Sequence, residues 1–140
     1  MNRSSMVAIG AVVAISVSAC MPSDEHEAAY SDMNAVQKAD HGQAGWVPQW
    51  VPADAKDIRI KFDIDTNESI LRFKLGEQSL SSDACGGAES AGAPSLTAGW
   101  WPSQLPEGST HRCTDGHQNN PSVHRVRVTG DKTVYAWAGA

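Results

Sequence analysis

Strict alternation of apolar and charged residues between positions 57 and 75 constrains the fold of this chain more than any other feature. Every second residue is apolar in the first half: Ile58, Ile60, Phe62 and Ile64 alternate with Asp57, Arg59, Lys61 and Asp63. A period of two puts one set on a buried face and the other in water. Residues 65–68 have turn composition, and residues 70–75 alternate again, so the sequence predicts a β-hairpin over residues 57–75.

A second hairpin is predicted over residues 123–138. Its first strand is rich in β-branched side chains, residues 129–132 read Thr-Gly-Asp-Lys, and residues 133–138 return. Two hairpins predict an α+β or mainly β domain, in which a small antiparallel sheet of two hairpins is covered by a long segment of the chain.

The segment that must cover the sheet, residues 76–121, has little periodicity and is rich in Gly, Ser, Pro and Ala. A loop of this length without structure is uncommon inside a compact domain. Four large apolar residues can anchor it to the sheet: Leu96, Trp100, Trp101 and Leu105. The sequence also favours a short helix near residues 95–100, ended by Pro102.

The first nineteen residues have the layout of an export signal. Arg3 precedes an apolar run from Met6 to Val17 that contains no acidic residue. A helix needs about twenty apolar residues to cross a bilayer, so this run is too short for a permanent membrane span. Residues 1–19 are therefore predicted to be a signal peptide.

The apolar run ends in four residues, Val17-Ser18-Ala19-Cys20, which resemble the lipobox of bacterial lipoproteins. The resemblance implies that Cys20 is lipidated, for example with palmitate, and anchors the protein in a membrane. Met21 stands where an aspartate would favour the inner membrane, so the resemblance implies the outer membrane, with the domain facing the periplasm. The alternative is an ordinary secretory signal followed by an incidental cysteine.

The cysteine count agrees with a lipidated Cys20. Three cysteines in an exported protein cannot all pair, and if Cys20 carries lipid, Cys85 and Cys113 remain as one pair. Oxidising surroundings let such a disulfide persist. Closing this loop stabilises a fold by about 3.5 kcal/mol on the chain-entropy model. We therefore expect a disulfide that staples the long covering segment.

Residues 20–44 are predicted to be the lipidated cysteine and a flexible acidic tether. Five acidic residues lie between Met21 and Ala44 against Lys38 alone, and large apolar side chains are scarce. Residues 45–140 then form a single globular domain with eleven acidic and nine basic residues. A domain so close to neutrality has no basic face for nucleic acid, so nucleic acid is not expected as a partner.

The domain is expected to open on Trp46-Val47-Pro48-Gln49-Trp50-Val51-Pro52, whose prolines favour extended chain. This segment, the turn sequence of residues 63–68 and Tyr135-Ala136-Trp137 together resemble a group of small uncharacterised bacterial lipoproteins. The resemblance implies an anchored domain that faces the periplasm, and it supplies no activity.

Two sets of side chains have some of the spacing of metal ligands. His111, Cys113 and His117 could supply three zinc ligands, but the spacing matches no established zinc pattern and a disulfide would remove the thiolate. Asp63, Asp65 and Asn67 resemble a calcium loop, but Glu68 replaces the required glycine and Lys74 the terminal acid. No metal site is predicted, and a surface loop and a hairpin turn account for the two sets.

Catalytic motifs are missing from the sequence. No serine lies in a G-x-S-x-G elbow, and no G-x-x-x-x-G-K-[ST] phosphate loop is present. We therefore predict no catalytic residue and no cofactor.

Five tryptophans are the remaining candidates for binding: Trp46, Trp50, Trp100, Trp101 and Trp137. They can line a groove for a glycan or peptide, or they can fill the core of a domain that has only two Phe. Core use is favoured, except that adjacent Trp100 and Trp101 are not both expected to be buried. One of these two is predicted to be an exposed contact residue.

These observations favour a bacterial envelope lipoprotein whose tethered, non-enzymatic domain binds an envelope protein or a cell-wall partner. The alternative is an immunity or inhibitor lipoprotein that neutralises an envelope hydrolase. A hydrolytic or metal-binding enzyme is a third possibility, without a coherent set of catalytic residues to support it.

Overall fold

Seven antiparallel strands form one sheet in the computed structural model, which describes residues 24–90, 92–115 and 123–139. The elements in chain order are β1 (Glu25–Asp32), α1 (Met33–Lys38), α2 (His41–Ala44), β2 (Lys56–Asp63), β3 (Glu68–Lys74), β4 (Cys85–Ala88), β5 (Thr110–Thr114), β6 (Val123–Val128) and β7 (Thr133–Ala138). The strand order is β1-β2-β3-β7-β6-β5-β4. The prediction of a mainly β fold built on an antiparallel sheet is confirmed. The predicted signal peptide of residues 1–19 and the predicted lipidation site Cys20 lie outside the described residues.

Both predicted hairpins are present, as β2–β3 and β6–β7, and they meet where β3 pairs with β7. In the first turn the Asp63 carboxylate accepts hydrogen bonds from the backbone N–H groups of Asp65 (2.8 Å) and Thr66 (3.1 Å). Asn67 has a φ of 59°, a left-handed conformation that asparagine tolerates well. The residues that resemble a calcium loop therefore build a hairpin turn, as expected.

The prediction of a flexible tether over residues 20–44 is wrong for most of its length, because residues 25–38 form β1 and α1 and residues 41–44 form α2. Strand β1 pairs with β2 along its whole length, from Glu25 opposite Asp63 to Asp32 opposite Lys56. Part of its stability comes from backbone hydrogen bonds to the edge of β2, a contribution that apolar periodicity does not report. The folded unit therefore includes residue 25, well before the predicted boundary at residue 45.

Helix α1 follows directly from the end of β1. The Asp32 carboxylate caps it by accepting a hydrogen bond from the Ala35 N–H at 2.9 Å, and that bond lowers the pKa of Asp32. The cap positions Val36, which is buried against the sheet. A short polar segment is thus held in place by one capping bond and one buried side chain.

One face of the sheet carries the main core, made of alternate residues from four strands: Ile58, Ile60, Phe62, Leu71, Phe73, Val126, Val134 and Ala136. Residues 46–52, which we call the Trp-Pro segment, cover this core. Trp46 is stacked on Phe62 at 4.4 Å between ring centroids. The prediction of an extended segment there is wrong. The backbone turns twice, with Val51 N–H bonded to the Pro48 carbonyl and Ala55 N–H to the Pro52 carbonyl. Turns bring both prolines and Trp50 onto the core, which an extended chain could not do.

The long segment after β3 contributes two further strands to the sheet. Cys85 of β4 lies directly opposite Cys113 of β5, and the two sulfurs form a disulfide of 2.04 Å. The predicted disulfide is confirmed, and it joins two paired strands.

The second face of the sheet is partly covered by residues 94–105, which we call the cover segment. Leu96 is buried against Ile70 and Trp137. The short helix predicted near residues 95–100 is absent from the described chain, which is irregular there. Side chains of the sheet bind carbonyls that a helix would use: Lys61 Nζ reaches the Thr97 carbonyl at 2.8 Å, and Arg72 Nη1 the Trp100 carbonyl at 2.7 Å.

Among the described residues, neither helix has the length and apolar character that crossing a membrane would require.

Candidate functional site

A cavity of about 650 Å³ opens on the second face of the sheet beside the cover segment. It lies where β1 ends, where β2 begins and at the β6–β7 turn, and we call it the arginine cleft. Its polar side chains include Arg59, Arg72, Lys74, Asp57, Asp131, Thr133 and Tyr135.

Two arginines form the centre of the cleft. Arg59 of β2 and Arg72 of β3 are directly opposite each other in the antiparallel register. Side chains in such positions stand about 5 Å apart at their Cβ atoms, and like charges there destabilise the sheet. An anion between the two guanidinium groups would remove this repulsion.

Arg72 is held in place by the cover segment. Besides its hydrogen bond to the Trp100 carbonyl, its guanidinium lies over the Trp100 ring at 5.8 Å from the centroid. This cation–π contact fixes the direction of the side chain. Arg59 is exposed and makes no hydrogen bond or ion pair within the part of the chain that the structure describes. One arginine is thus positioned and the other is free for a ligand.

The β6–β7 turn forms one wall of the cleft. Lys74 pairs with Asp131 at 2.9 Å, and Thr129, Lys74 and Thr133 all donate hydrogen bonds to Asp131. These donors, Thr129 first, hold the pKa of Asp131 far below its usual range. Asp131 therefore remains ionised and neutralises Lys74. The other carboxylate of the cleft, Asp57, makes no ion pair among the described residues.

The predicted contact residues Trp100 and Trp101 lie beside this cleft and support its side chains. Both are half-buried. Trp100 carries Arg72, while the Trp101 ring meets Tyr135 edge-on at 5.5 Å and 88°. The Trp100 indole N–H also donates to Glu27 of β1, which fastens the cover segment to the sheet edge. Neither tryptophan is fully buried, and contact of either with a partner stays a prediction.

Two of the three residues considered for zinc have other partners. Cys113 is in the disulfide, His111 Nε2 is 2.9 Å from the Ser109 hydroxyl, and His117 lies outside the described residues. Across the described ranges, no three His, Cys, Asp or Glu side chains are grouped as metal ligands.

A buried polar pair lies on the opposite face from the arginine cleft. The Trp50 indole N–H donates to His124 Nδ1 at 3.5 Å, and burial lowers the pKa of His124 to about 4 despite the nearby Asp115. Asp115 is itself engaged, since its carboxylate accepts the Gln49 N–H at 3.0 Å. His124 is therefore a neutral acceptor in the core, with a structural role.

The depressed pKa of His124 predicts a loss of stability in mild acid. The unfolded chain binds a proton below its ordinary pKa of 6.5, whereas the folded chain binds one only near pH 4. The stabilisation that comes from keeping His124 neutral is complete above pH 6.5. Between pH 7 and pH 5 the free energy of unfolding falls by about 2 kcal/mol. Urea denaturation at both pH values should show this slope in the wild type and a smaller one in His124→Gln. Equal slopes would contradict the assignment.

The alternation in the first hairpin predicts that Arg59 and Arg72 lie on its solvated face, and it does not distinguish them as functional residues. The signal was nevertheless present in the first hairpin. A turn over residues 64–67 pairs Asp63 with Glu68, and counting back along both strands places Arg59 opposite Arg72. The cavity beside them could not be found this way, because its other walls come from β1 and the β6–β7 turn.

Comparison with known proteins adds one finding. Residues 24–74 match the family model of the YbbD head domain. The match runs from the start of β1 to the end of β3, and so includes both arginines of the cleft. It indicates a bacterial family and assigns no activity. No curated protein and no solved structure matches the chain.

Proposed function

We propose that this protein is a bacterial envelope lipoprotein whose non-enzymatic domain binds carboxylate groups of the cell wall through the arginine cleft. The observation that carries the proposal is the direct opposition of Arg59 and Arg72, with Arg59 unpaired within the described chain. The export signal and the lipobox-like Cys20 support the envelope location. The Cys85–Cys113 disulfide is consistent with it, because such bonds persist in oxidising compartments.

Carboxylate is the ligand chemistry that suits this cleft. A guanidinium group donates two parallel hydrogen bonds to a carboxylate. Two adjacent guanidinium groups can bind one carboxylate between them or two carboxylates side by side. The Tyr135 hydroxyl provides a further polar contact in the same cavity. The cleft is open, so a carboxylate carried on a polymer such as the peptide part of peptidoglycan can enter it from the side.

Replacement of Arg59 by Gln should weaken binding to isolated cell-wall sacculi by about ten- to a hundredfold. The estimate follows from the roughly 1.5–3 kcal/mol assigned to a hydrogen bond with a charged group. Co-sedimentation with sacculi at low salt measures the effect. Binding should also decline as salt rises from roughly 0.1 M to 1 M, because screening shortens the range of the charges.

Lys38→Gln is the matched control, since it removes the same charge from an exposed position at the end of α1. It should bind sacculi as the wild type does. Equal weakening by both variants would mean that overall charge drives the binding, and unchanged binding by Arg59→Gln would refute the cleft. Arg59 is preferred to Arg72 here because Arg72 also holds the cover segment.

The inhibitor alternative is favoured by the same pair of arginines. Glycoside hydrolases use two carboxyl groups about 5–9.5 Å apart, and opposed guanidinium groups are complementary to them. An exported hydrolase encoded beside this protein would be the enzyme to assay. Inhibition by the wild type but not by Arg59→Gln supports this function, and full activity in a molar excess of the domain rules it out for that enzyme.

A further inference from the structure

We propose that the sheet stands on end at the membrane, with the β2–β3 turn toward the lipid and the arginine cleft directed away from it. The partner surface is a bilayer rich in phosphatidylethanolamine. The inference rests on the proposed lipidation of Cys20 and adds to it an orientation of the domain.

The connection between the lipidated Cys20 and the folded domain is short, which limits the distance of the domain from the bilayer. Only residues 21–23 separate Cys20 from Asp24, so a fully extended chain places their Cα atoms at most about 14 Å apart. The Asp24 carbonyl accepts a hydrogen bond from the Ile64 N–H at 3.0 Å. A lipid on Cys20 therefore keeps the β2–β3 turn within a short distance of the bilayer.

Exposed apolar side chains lie at the same end of the sheet and can contact the lipid. Among the described residues, the large hydrophobic side chains with substantial exposure are Ile64 at 57% and Val123 at 36%. Ile64 lies in the β2–β3 turn. Val123 begins β6 at the end of the sheet where β7 finishes and β3 starts, because Ser69 pairs with Ala138. Both side chains thus lie at the end to which the anchor is attached, which we call the anchor end.

Charge at the anchor end selects the lipid. The exposed residues beside Ile64 include Asp24 and Asp65, which an anionic lipid surface would repel. The ammonium group of phosphatidylethanolamine complements these carboxylates. A zwitterionic surface therefore fits both the apolar and the acidic side chains of this end.

The arginine cleft lies at the far end of the same strands. From Asp24 to Ser31 the chain advances seven residues, which is about 23 Å at the rise of an antiparallel strand. Added to the connection of about 14 Å, this places the cleft no more than roughly 40 Å from the lipid headgroups. A partner bound in the cleft must come within that distance of the membrane.

Energy transfer from two labelled sites to the lipid surface tests the orientation. The full-length lipoprotein is reconstituted in vesicles of mostly phosphatidylethanolamine that contain rhodamine-labelled lipid as acceptor. A clickable amino acid replaces Thr66, in the turn at the anchor end, or Gly130, in the β6–β7 turn, where an added side chain meets no atom within 4 Å. Transfer from residue 66 should clearly exceed transfer from residue 130, because the sites differ by about 20 Å along the strands.

Two variants separate the parts of the proposal. A long Gly-Ser insertion between Pro22 and Ser23 should lower both transfer efficiencies and reduce their difference, while Ile64→Asn should lower the transfer from residue 66. Equal transfer from both sites in the wild type would overturn the orientation. Palmitate labelling of Cys20→Ser tests the anchor separately: incorporation equal to that of the wild type would refute lipidation at Cys20, whatever the transfer shows.

Discussion

Deletion of residues 24–44 should abolish cooperative folding of the remaining chain. These residues contain β1, which completes the edge of the sheet, and α1, which buries Val36 on the main core. Tyr30 and Ala28 of β1 pack against the same core. Exposing this apolar surface costs on the order of 5 kcal/mol, which is comparable to the whole stability of a small domain.

The comparison requires two chains that differ only in this segment, one beginning at residue 24 and the other at residue 45. The longer chain should show a single sharp urea transition, and the shorter chain a broad transition or none. If both unfold at the same urea concentration, residues 24–44 are dispensable and the original interpretation of a tether is restored.

Loss of the disulfide should lower the free energy of unfolding by about 2 to 5 kcal/mol, the usual range for small secreted domains. The expected effect is large because β4 has few other contacts. Its sequence is Cys-Gly-Gly-Ala, so beyond the backbone pairing with β5 it has almost no side chains to bury. Without the covalent bond, β4 is expected to separate from the edge of the sheet.

The double variant Cys85→Ser with Cys113→Ser avoids a free thiol and is the cleaner test. Urea denaturation of the chain from residue 24 measures the loss of stability. Limited proteolysis should cut the variant first near residues 79–90, while the cover segment stays protected by its bonds from Lys61 and Arg72. Thiol labelling of the unfolded, unreduced protein is the control, and two reactive thiols in the wild type would contradict the disulfide.

The sequence predicted the centre of the fold well because the information there is local. Alternation with a period of two identified β2 and β3, and β-branched composition around a turn identified β6 and β7. The turn over residues 64–67 also determines the register of β2 against β3. The pairing of Cys85 with Cys113 followed from counting cysteines, without any knowledge of the path between them. In each case a pattern of neighbouring residues, or a simple count, reports directly on the structure.

The edges of the sheet were not predictable in this way. Strand β1 has the polar composition of a tether, and β4 is mostly glycine and alanine, so neither carries an apolar signal. Both are strands because a neighbouring strand offers unpaired N–H and C=O groups, which only the assembled sheet provides. The Trp-Pro segment likewise turns because turns bring its tryptophans and prolines onto the core, a requirement set by the surface beneath it.

The candidate site, like the fold, was predictable from the sequence only in part. The sequence alone determines that Arg59 and Arg72 share the polar face of a hairpin. Tertiary structure decides that the cover segment binds Arg72 and leaves Arg59 free, and that β1 and the β6–β7 turn complete a cleft around them. The physical reason is that hairpin register depends on residues near in the chain, whereas a cavity depends on surfaces that meet only when distant segments pack together.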